Sequence, residues 1–236
     1  GHTFTASLEE HGGAQGLHLT SAEPAVDLWV WPQADKGEPY RAEITSAYGR
    51  VSAEIPVLPL SQGSAGGAAS LDLADLTGDG TPELVYIWGY GGTGIWEDQC
   101  RVFDLSAGEE YPVSVDLDLL ADQVQAEFVE AREDVFVYQI TALDGRLTGL
   151  STLPRRSDTQ KPGNVIAVGR HTFIQLSRER EVLELAVSFG IQGDAVDYQG
   201  DPLGFLTTEF TFSPSLRGFT MRPATGITLN PPEENR

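Results

Sequence analysis

The chain has 236 residues, of which 40% are hydrophobic, and 35 Asp and Glu residues outnumber 15 Lys and Arg residues, giving a formal net charge of −20. This composition can bury a core in one large domain or two small ones, which excludes an entirely disordered chain. A field of this sign repels phosphate groups and attracts divalent cations, so we expect no nucleic-acid partner and no binding to anionic membrane surfaces.

Two further features limit the class of protein. No run of apolar residues reaches the length of about 20 that crosses a bilayer as a helix, so no transmembrane segment is expected in this chain. The single cysteine, Cys100, has no partner for an internal disulfide, and we assign it a structural role.

In chain order, residues 1–16 are assigned to an N-terminal segment for which disorder is left open, and residues 17–229 to a single β-rich domain. Alternating apolar and polar residues between Gly and Pro predict strands at 17–19, 26–31, 40–44 and 51–55. Further strands are predicted at 84–88, 101–105, 135–141, 147–150, 165–168, 173–176, 182–189 and 204–212. Residues 230–236 are expected to form a frayed tail.

Two local signals refine this prediction. The Asp144-Gly145 pair between apolar runs predicts a hairpin. Residues 117–132 fit either a helix or a strand, and we favour a short helix at their start. The predicted fold is mainly β, with short antiparallel strands in two or more sheets, little helix, and either a degenerate propeller or a sandwich as the architecture.

The strongest motif runs from Asp75 to Glu83, directly before a predicted strand. Oxygen-bearing residues stand at every second position with glycines between them, which is the spacing of loops that wrap around Ca²⁺. The side chains of Asp75, Thr77 and Asp79 are the first three candidate ligands. Thr81 would offer its backbone carbonyl and Glu83 would close the ring, either directly or through water. Gly78 and Gly80 are expected to allow the sharp turn.

This motif resembles the FG-GAP/VCBS repeat of integrin-like extracellular proteins, because an Asp-x-Thr-Gly-Asp-Gly-x-Pro-Glu loop leads into a β-strand. The resemblance covers about fifteen residues. It implies that the loop lies between two strands of a sheet and that Ca²⁺ fixes the turn, with Asp75, Thr77, Asp79, Thr81 and Glu83 as ligands. The chain looks similar to single-motif VCBS-type secreted proteins and lipoproteins of bacteria, which implies an extracellular or cell-envelope location and leaves open a lipid anchor before Gly1.

A second candidate site is the glycine-rich segment from Trp88 to Trp96, which is predicted to be a loop. Its spacing satisfies the Gly-x-Gly-x-x-Gly dinucleotide pattern, but too few residues follow for the helix of a nucleotide-binding unit, so we reject nucleotide binding. Trp88, Tyr90 and Trp96 could stack on sugar rings or on side chains of a partner. The alternative is that the tryptophans belong to the core.

Catalytic patterns are weak. His2, His11, His18 and His171 are scattered along the sequence, without metal-ligand spacing. Asp194, Asp197 and Asp201 lie in a glycine-rich segment, where paired carboxylates could act in glycoside hydrolysis, although a solvated loop is the favoured interpretation.

Three functional hypotheses follow. The favoured one is an exported, calcium-binding, non-enzymatic β domain that recognises a protein or glycan at a cell surface. The second is a structural module of an envelope protein without a ligand, and the third is a glycan hydrolase.

Overall fold

The structure is a computed structural model. It describes residues 4–11, 14–22, 25–33, 39–56, 58, 68–92, 95–155, 157, 159–192 and 202–230. The predicted tail beyond residue 230 and the acidic residues Asp194, Asp197 and Asp201 lie outside the described residues.

The described chain is built from eighteen strands and one short helix. The strands are β1 Thr5–His11, β2 Ala14–Ala22, β3 Ala25–Trp31, β4 Tyr40–Ser46, β5 Arg50–Ile55, β6 Ala68–Ala74, β7 Glu83–Gly92, β8 Ile95–Asp104, β9 Glu109–Tyr111, β10 Val113–Ser114, β11 Val124–Ala131, β12 Val135–Ala142, β13 Leu147–Pro154, β14 Val165–Ser177, β15 Val182–Gln192, β16 Gly204–Ser213, β17 Gly218–Met221 and β18 Gly226–Leu229. The helix, α1, spans Leu117–Ala121. The mainly β prediction is confirmed.

The first five strands form an antiparallel meander in chain order. Alternate residues of β3 are buried, as period-2 patterning requires for a sheet with one covered face. Part of the segment assigned to 1–16 belongs to this sheet, because β1 pairs with β2 in continuous register from Thr5↔Thr20 to His11↔Ala14. The Gly12-Gly13 pair between two alternating runs is the hairpin signal that the assignment overlooked.

The remaining strands form a ten-stranded mixed sheet and a three-stranded antiparallel sheet. The path through the large sheet is β10-β17-β16-β15-β14-β8-β7-β6, with β18 on β16 and β9 on β8. The small sheet has the order β11-β12-β13. The three sheets thus differ in size, and they contain five, ten and three strands.

Two hydrophobic clusters hold these sheets together, and β7 contributes to both. Leu84 and Tyr86 belong to the cluster of the five-stranded sheet, which also contains Leu28 and Ile44. The side chain of Val85 points to the opposite face of β7. It belongs to the larger cluster, whose members lie outside the five-stranded sheet. Strand β7 is therefore covered on both faces, which explains its continuous apolar sequence.

The local predictions for the middle of the chain are confirmed. Helix α1 starts after Asp116, whose carboxylate accepts a hydrogen bond from the Leu119 amide and so caps the helix. The chain then continues as β11. Strands β12 and β13 form the hairpin around Asp144-Gly145, with Ala142 opposite Leu147.

Strands β6, β9, β10, β17 and β18 were not predicted, and two segments for which a prediction was made differ from it. Residues 165–168 and 173–176 are parts of one long strand, β14, whose pairing with β15 shifts at a bulge between Val168 and Thr172. Gly169 in that bulge has φ +98°, a conformation that favours glycine. The glycine-rich segment expected to be a loop instead extends β7 to Gly92 and starts β8 at Ile95. Among the described residues, no helix is long and apolar enough to cross a membrane.

Candidate functional site

The predicted metal-binding loop connects β6 to β7, with Ala74 opposite Glu83 at its base. Gly78 has φ +76° and Gly80 has φ +89°, so both adopt the left-handed conformation that the sharp turn needs. Open space surrounds both positions where a Cβ would lie. The glycines are therefore required by the backbone and not by packing, which confirms the turn predicted from the sequence.

Asp75 organises the first half of this loop. Its Oδ1 accepts hydrogen bonds from the amides of Gly78 (2.8 Å) and Asp79 (3.1 Å), and its Oδ2 accepts one from Gly80 (2.8 Å). Asp79 acts in the same way on the second half, because its Oδ1 accepts a hydrogen bond from the Thr81 amide at 2.7 Å. Both carboxylates therefore fix the backbone of the turn, and Asp79 does so from an exposed position.

Glu83 closes the loop from the strand side, and its side chain is buried, with 1% exposure. Its Oε2 accepts hydrogen bonds from the amides of Leu76 (2.7 Å) and Thr77 (3.2 Å), and its Oε1 accepts one from the Thr77 hydroxyl (3.2 Å). Burial raises the pKa of Glu83 to about 7, although these hydrogen bonds oppose the rise. The negative charge of Asp79 raises this pKa further.

The structure brings the five predicted ligand residues into one loop, but the carboxylates are engaged with backbone amides. Within the described part of the chain, no three His, Cys, Asp or Glu side chains form a group that could hold a metal ion. A cation bound here would need the side chains to rotate towards one point.

Asp104 is a second buried carboxylate at this end of the sheet, and it was not identified from the sequence. It lies opposite Glu83 in the pairing of β7 with β8. Its Oδ1 accepts hydrogen bonds from the Ser106 and Ala107 amides at 2.8 and 2.9 Å, and its Oδ2 accepts one from the Tyr111 hydroxyl at 2.5 Å. Burial alone would raise the pKa of Asp104, but these hydrogen bonds outweigh it and lower the pKa. Each carboxylate therefore fixes the turn next to its own strand.

The three aromatic residues proposed for ligand binding do not form one surface. Trp88 has 8% exposure, stacks on Tyr86 with ring centroids 4.9 Å apart, and belongs to the core shared with the five-stranded sheet. Tyr90 lies on the same face of β7 but is 44% exposed. Trp96 pairs with Gly91 and points to the opposite face of the hairpin.

Trp96 explains the glycines around it. A Cβ on Gly89 would lie 2.5 Å from Cζ2 of the Trp96 ring and would also collide with Oδ1 of Asp98. The same indole lies 3.0 Å from the position of a Cβ on Gly91. The Trp96 Nε1 donates a hydrogen bond to Asp98 Oδ1 at 2.6 Å. The glycines therefore make room for an indole that lies across the neighbouring strand.

Two of the four histidines, His18 and His171, lie in different sheets. His18 lies on the five-stranded sheet, stacks on Trp29 with ring centroids 3.9 Å apart, and contacts Glu9 and Asp27 through its two ring nitrogens. His171 lies in β14, His11 ends β1, and His2 lies outside the described residues.

Comparison with known proteins does not assign the site. No family model matches this chain, and neither a curated protein nor a solved structure shows significant similarity to it.

Proposed function

We propose that the loop from Asp75 to Glu83 binds one Ca²⁺ and that the protein is an exported, calcium-stabilised β domain that recognises a protein or glycan at a cell surface. The observation that carries the proposal is the combination of three carboxylates in one turn, two of which accept hydrogen bonds from the amides of the turn while the third, Glu83, is buried. Within the described residues, none of the three forms an ion pair with Lys, Arg or His.

The donor chemistry of the loop fits a hard cation. All its candidate ligands are oxygen atoms, which Ca²⁺ prefers. The Thr77 hydroxyl donates its hydrogen to Glu83, so its oxygen lone pairs face away from that bond and can accept a cation. Asp79 uses only Oδ1 for a hydrogen bond with a described residue, which leaves Oδ2 as a ligand atom.

A bound cation would also reduce the cost of burying the Glu83 charge, because an opposite charge favours the ionised carboxylate. Extracellular calcium sites have dissociation constants of about 10⁻⁴–10⁻³ M. At about 1 mM Ca²⁺ and a dissociation constant near 0.1 mM, binding would stabilise the fold by roughly 1.4 kcal/mol. For a protein of this size, that corresponds to a rise in melting temperature of about 3–6 °C.

The test is a calorimetric titration of chelator-treated protein with CaCl₂, together with melting curves with and without Ca²⁺. The variant Asp79→Asn removes a candidate ligand, and Asp144→Asn is the matched control, because Asp144 also precedes a glycine in a hairpin turn. We expect one Ca²⁺ per chain in the wild type and in the control, with at least tenfold weaker binding in Asp79→Asn. An absence of heat and of any melting shift at several millimolar Ca²⁺ would refute the proposal.

Tyr90 supports the recognition part of the proposal, since its ring is exposed near the tip of the β7–β8 hairpin. Tyr48 has the same 44% exposure and lies in the turn between β4 and β5, so Tyr48→Ala is a matched control for Tyr90→Ala. On a glycan array in Ca²⁺, we expect binding that Tyr90→Ala abolishes and Tyr48→Ala retains. Equal binding by both variants would remove Tyr90 from the site, and binding by neither the wild type nor the variants would favour a protein partner or the purely structural alternative.

A further inference from the structure

The large sheet has a gap along one edge of β8. On that edge, β14 pairs with β8 only at Trp96 and Glu97, and β9 pairs with it only at Val102–Asp104. Residues 98–101 between these pairings have no strand partner on this edge among the described residues. A groove of about 570 Å³ opens at this place.

The side chain of Asp98 takes the place of the missing strand. Its Oδ2 accepts a hydrogen bond from the Ile174 amide of β14 at 2.9 Å, while its Oδ1 accepts the one from Trp96. Its own amide donates to the Thr172 hydroxyl at 3.2 Å. These bonds hold β8 and β14 at a fixed separation, so the groove is preformed.

The wall of the groove on the side of α1 and β10 is apolar. Val113 and Leu117 pack against the larger hydrophobic cluster and line the groove from this side. Ile174 and Leu185 line it from the side of the large sheet. The exposed side chain of Val115 stands at its rim.

The polar lining carries an excess of negative charge. Glu97, Asp98 and Glu110 contribute carboxylates, and Arg101 is the one basic side chain among the described residues of the lining. The Nε of Arg101 lies 3.0 Å from Oε1 of Glu110, and its guanidinium also donates to the Glu54 carbonyl. That pairing leaves Glu97 and Asp98 without a cation from the described part of the chain, and burial raises the pKa of Asp98.

We propose that this groove binds a small organic cation, a primary amine or guanidinium group carried on a short apolar chain or ring. The cationic head would donate hydrogen bonds to Asp98, and the apolar body would pack against Val113 and Leu117. The volume lies within the range of about 300–1,000 Å³ that is typical of small-molecule sites. The site is separate from the loop at 75–83 and does not require Ca²⁺.

The test uses three ligands of the same shape that differ in charge: 4-phenylbutylamine, 4-phenylbutanol and 4-phenylbutyrate. Each is titrated into the wild-type protein by calorimetry, with a chelator present and at about 150 mM NaCl, which screens nonspecific attraction to the acidic surface. We expect the amine to bind with a dissociation constant below about 1 mM, the alcohol to bind at least tenfold more weakly, and the carboxylate not to bind. Equal binding of the three ligands, or no binding of the amine, would overturn the proposal.

Two variants locate the binding. Asp98→Asn removes the half-buried carboxylate. Val115→Trp fills the groove from its exposed rim, where the larger side chain leaves the core intact because Val115 is not packed in it. Val129→Trp, at an exposed position on β11, is the control for Val115→Trp. We expect the amine to bind at least tenfold more weakly to Asp98→Asn and Val115→Trp, and with unchanged affinity to Val129→Trp. If Asp98→Asn does not fold, the Val115→Trp result decides, and unchanged binding in Val115→Trp would overturn the proposal.

Discussion

Replacement of Glu83 by Gln tests whether burial of the Glu83 carboxylate changes the free energy of unfolding by an amount that depends on pH. The glutamine side chain of this variant keeps a carbonyl oxygen that can accept hydrogen bonds from the Leu76 and Thr77 amides, but it cannot ionise. Because the folded state raises the pKa of Glu83 from 4.5 to about 7, the folded protein binds the proton more tightly than the unfolded chain does. The stability that this group contributes is therefore present at low pH and is lost as the pH rises through about 7.

The expected change in the free energy of unfolding follows from the difference between these two pKa values. At about 1.4 kcal/mol per pKa unit, the full effect is about 3 kcal/mol. About 2 kcal/mol of it falls between pH 5.5 and pH 8.5, a range that stays above the isoelectric point near 4.3. In the presence of a chelator, we expect Glu83→Gln to gain about 2 kcal/mol of stability relative to the wild type when the pH is raised from about 5.5 to about 8.5.

The assay is urea denaturation of both proteins at the two pH values, followed by far-UV circular dichroism. Subtracting the unfolding free energy of the variant from that of the wild type cancels the contribution of all other titrating groups, as long as the two proteins have the same m-value. A difference in unfolding free energy that is the same at both pH values, or that changes in the opposite direction, would refute the reasoning about Glu83.

Three further predictions concern other parts of the fold. Gly89→Ala should lower the free energy of unfolding by about 1–3 kcal/mol in urea denaturation, because the new Cβ would meet the Trp96 ring. The control Gly92→Ala should have little effect, because open space surrounds that position. Burial alone would lower the pKa of His18, but the contacts with Glu9 and Asp27 outweigh burial and raise this pKa. The wild type should therefore be more stable than His18→Gln at about pH 5.5 and should lose this advantage at about pH 8. A difference in melting temperature that is the same at both pH values would count against this prediction. Glu181 has φ +50°, a left-handed conformation that costs glycine less than other residues, so Glu181→Gly should raise the melting temperature. The control Glu179→Gly, in the same turn, should not raise it. A loss of stability in both variants would contradict this prediction.

Local patterns were sufficient to predict most strands and the turn of the loop at 75–83. Strands β3, β4 and β5 follow from alternation because one face of their sheet is covered, and the hairpin at Asp144-Gly145 follows from turn chemistry. The strand character of Gly89 to Gly92 could not be seen in the same way. Gly89 and Gly91 make room for the indole of Trp96 on the neighbouring strand, and that contact depends on the pairing of two strands and not on local propensity.

The candidate sites show the same limit. The sequence indicates which oxygen atoms lie in the loop, but not that Glu83 is buried and accepts hydrogen bonds from the start of the same loop. The groove beside β8 depends on the hydrogen bond between Asp98 and the Ile174 amide, which joins residues 76 positions apart. No pattern within a strand reports a contact over that separation.

The position of β7 in both hydrophobic clusters has a consequence for unfolding. If the five-stranded sheet separated from β7, Leu84 and Tyr86 would be exposed to water, and if the larger cluster opened, Val85 would be exposed on the same strand. Neither half can therefore melt without weakening the other, so heating should give one cooperative transition instead of two. The loop at 75–83 lies at the start of this shared strand, and a change in its rigidity would be transmitted to both halves of the molecule at once.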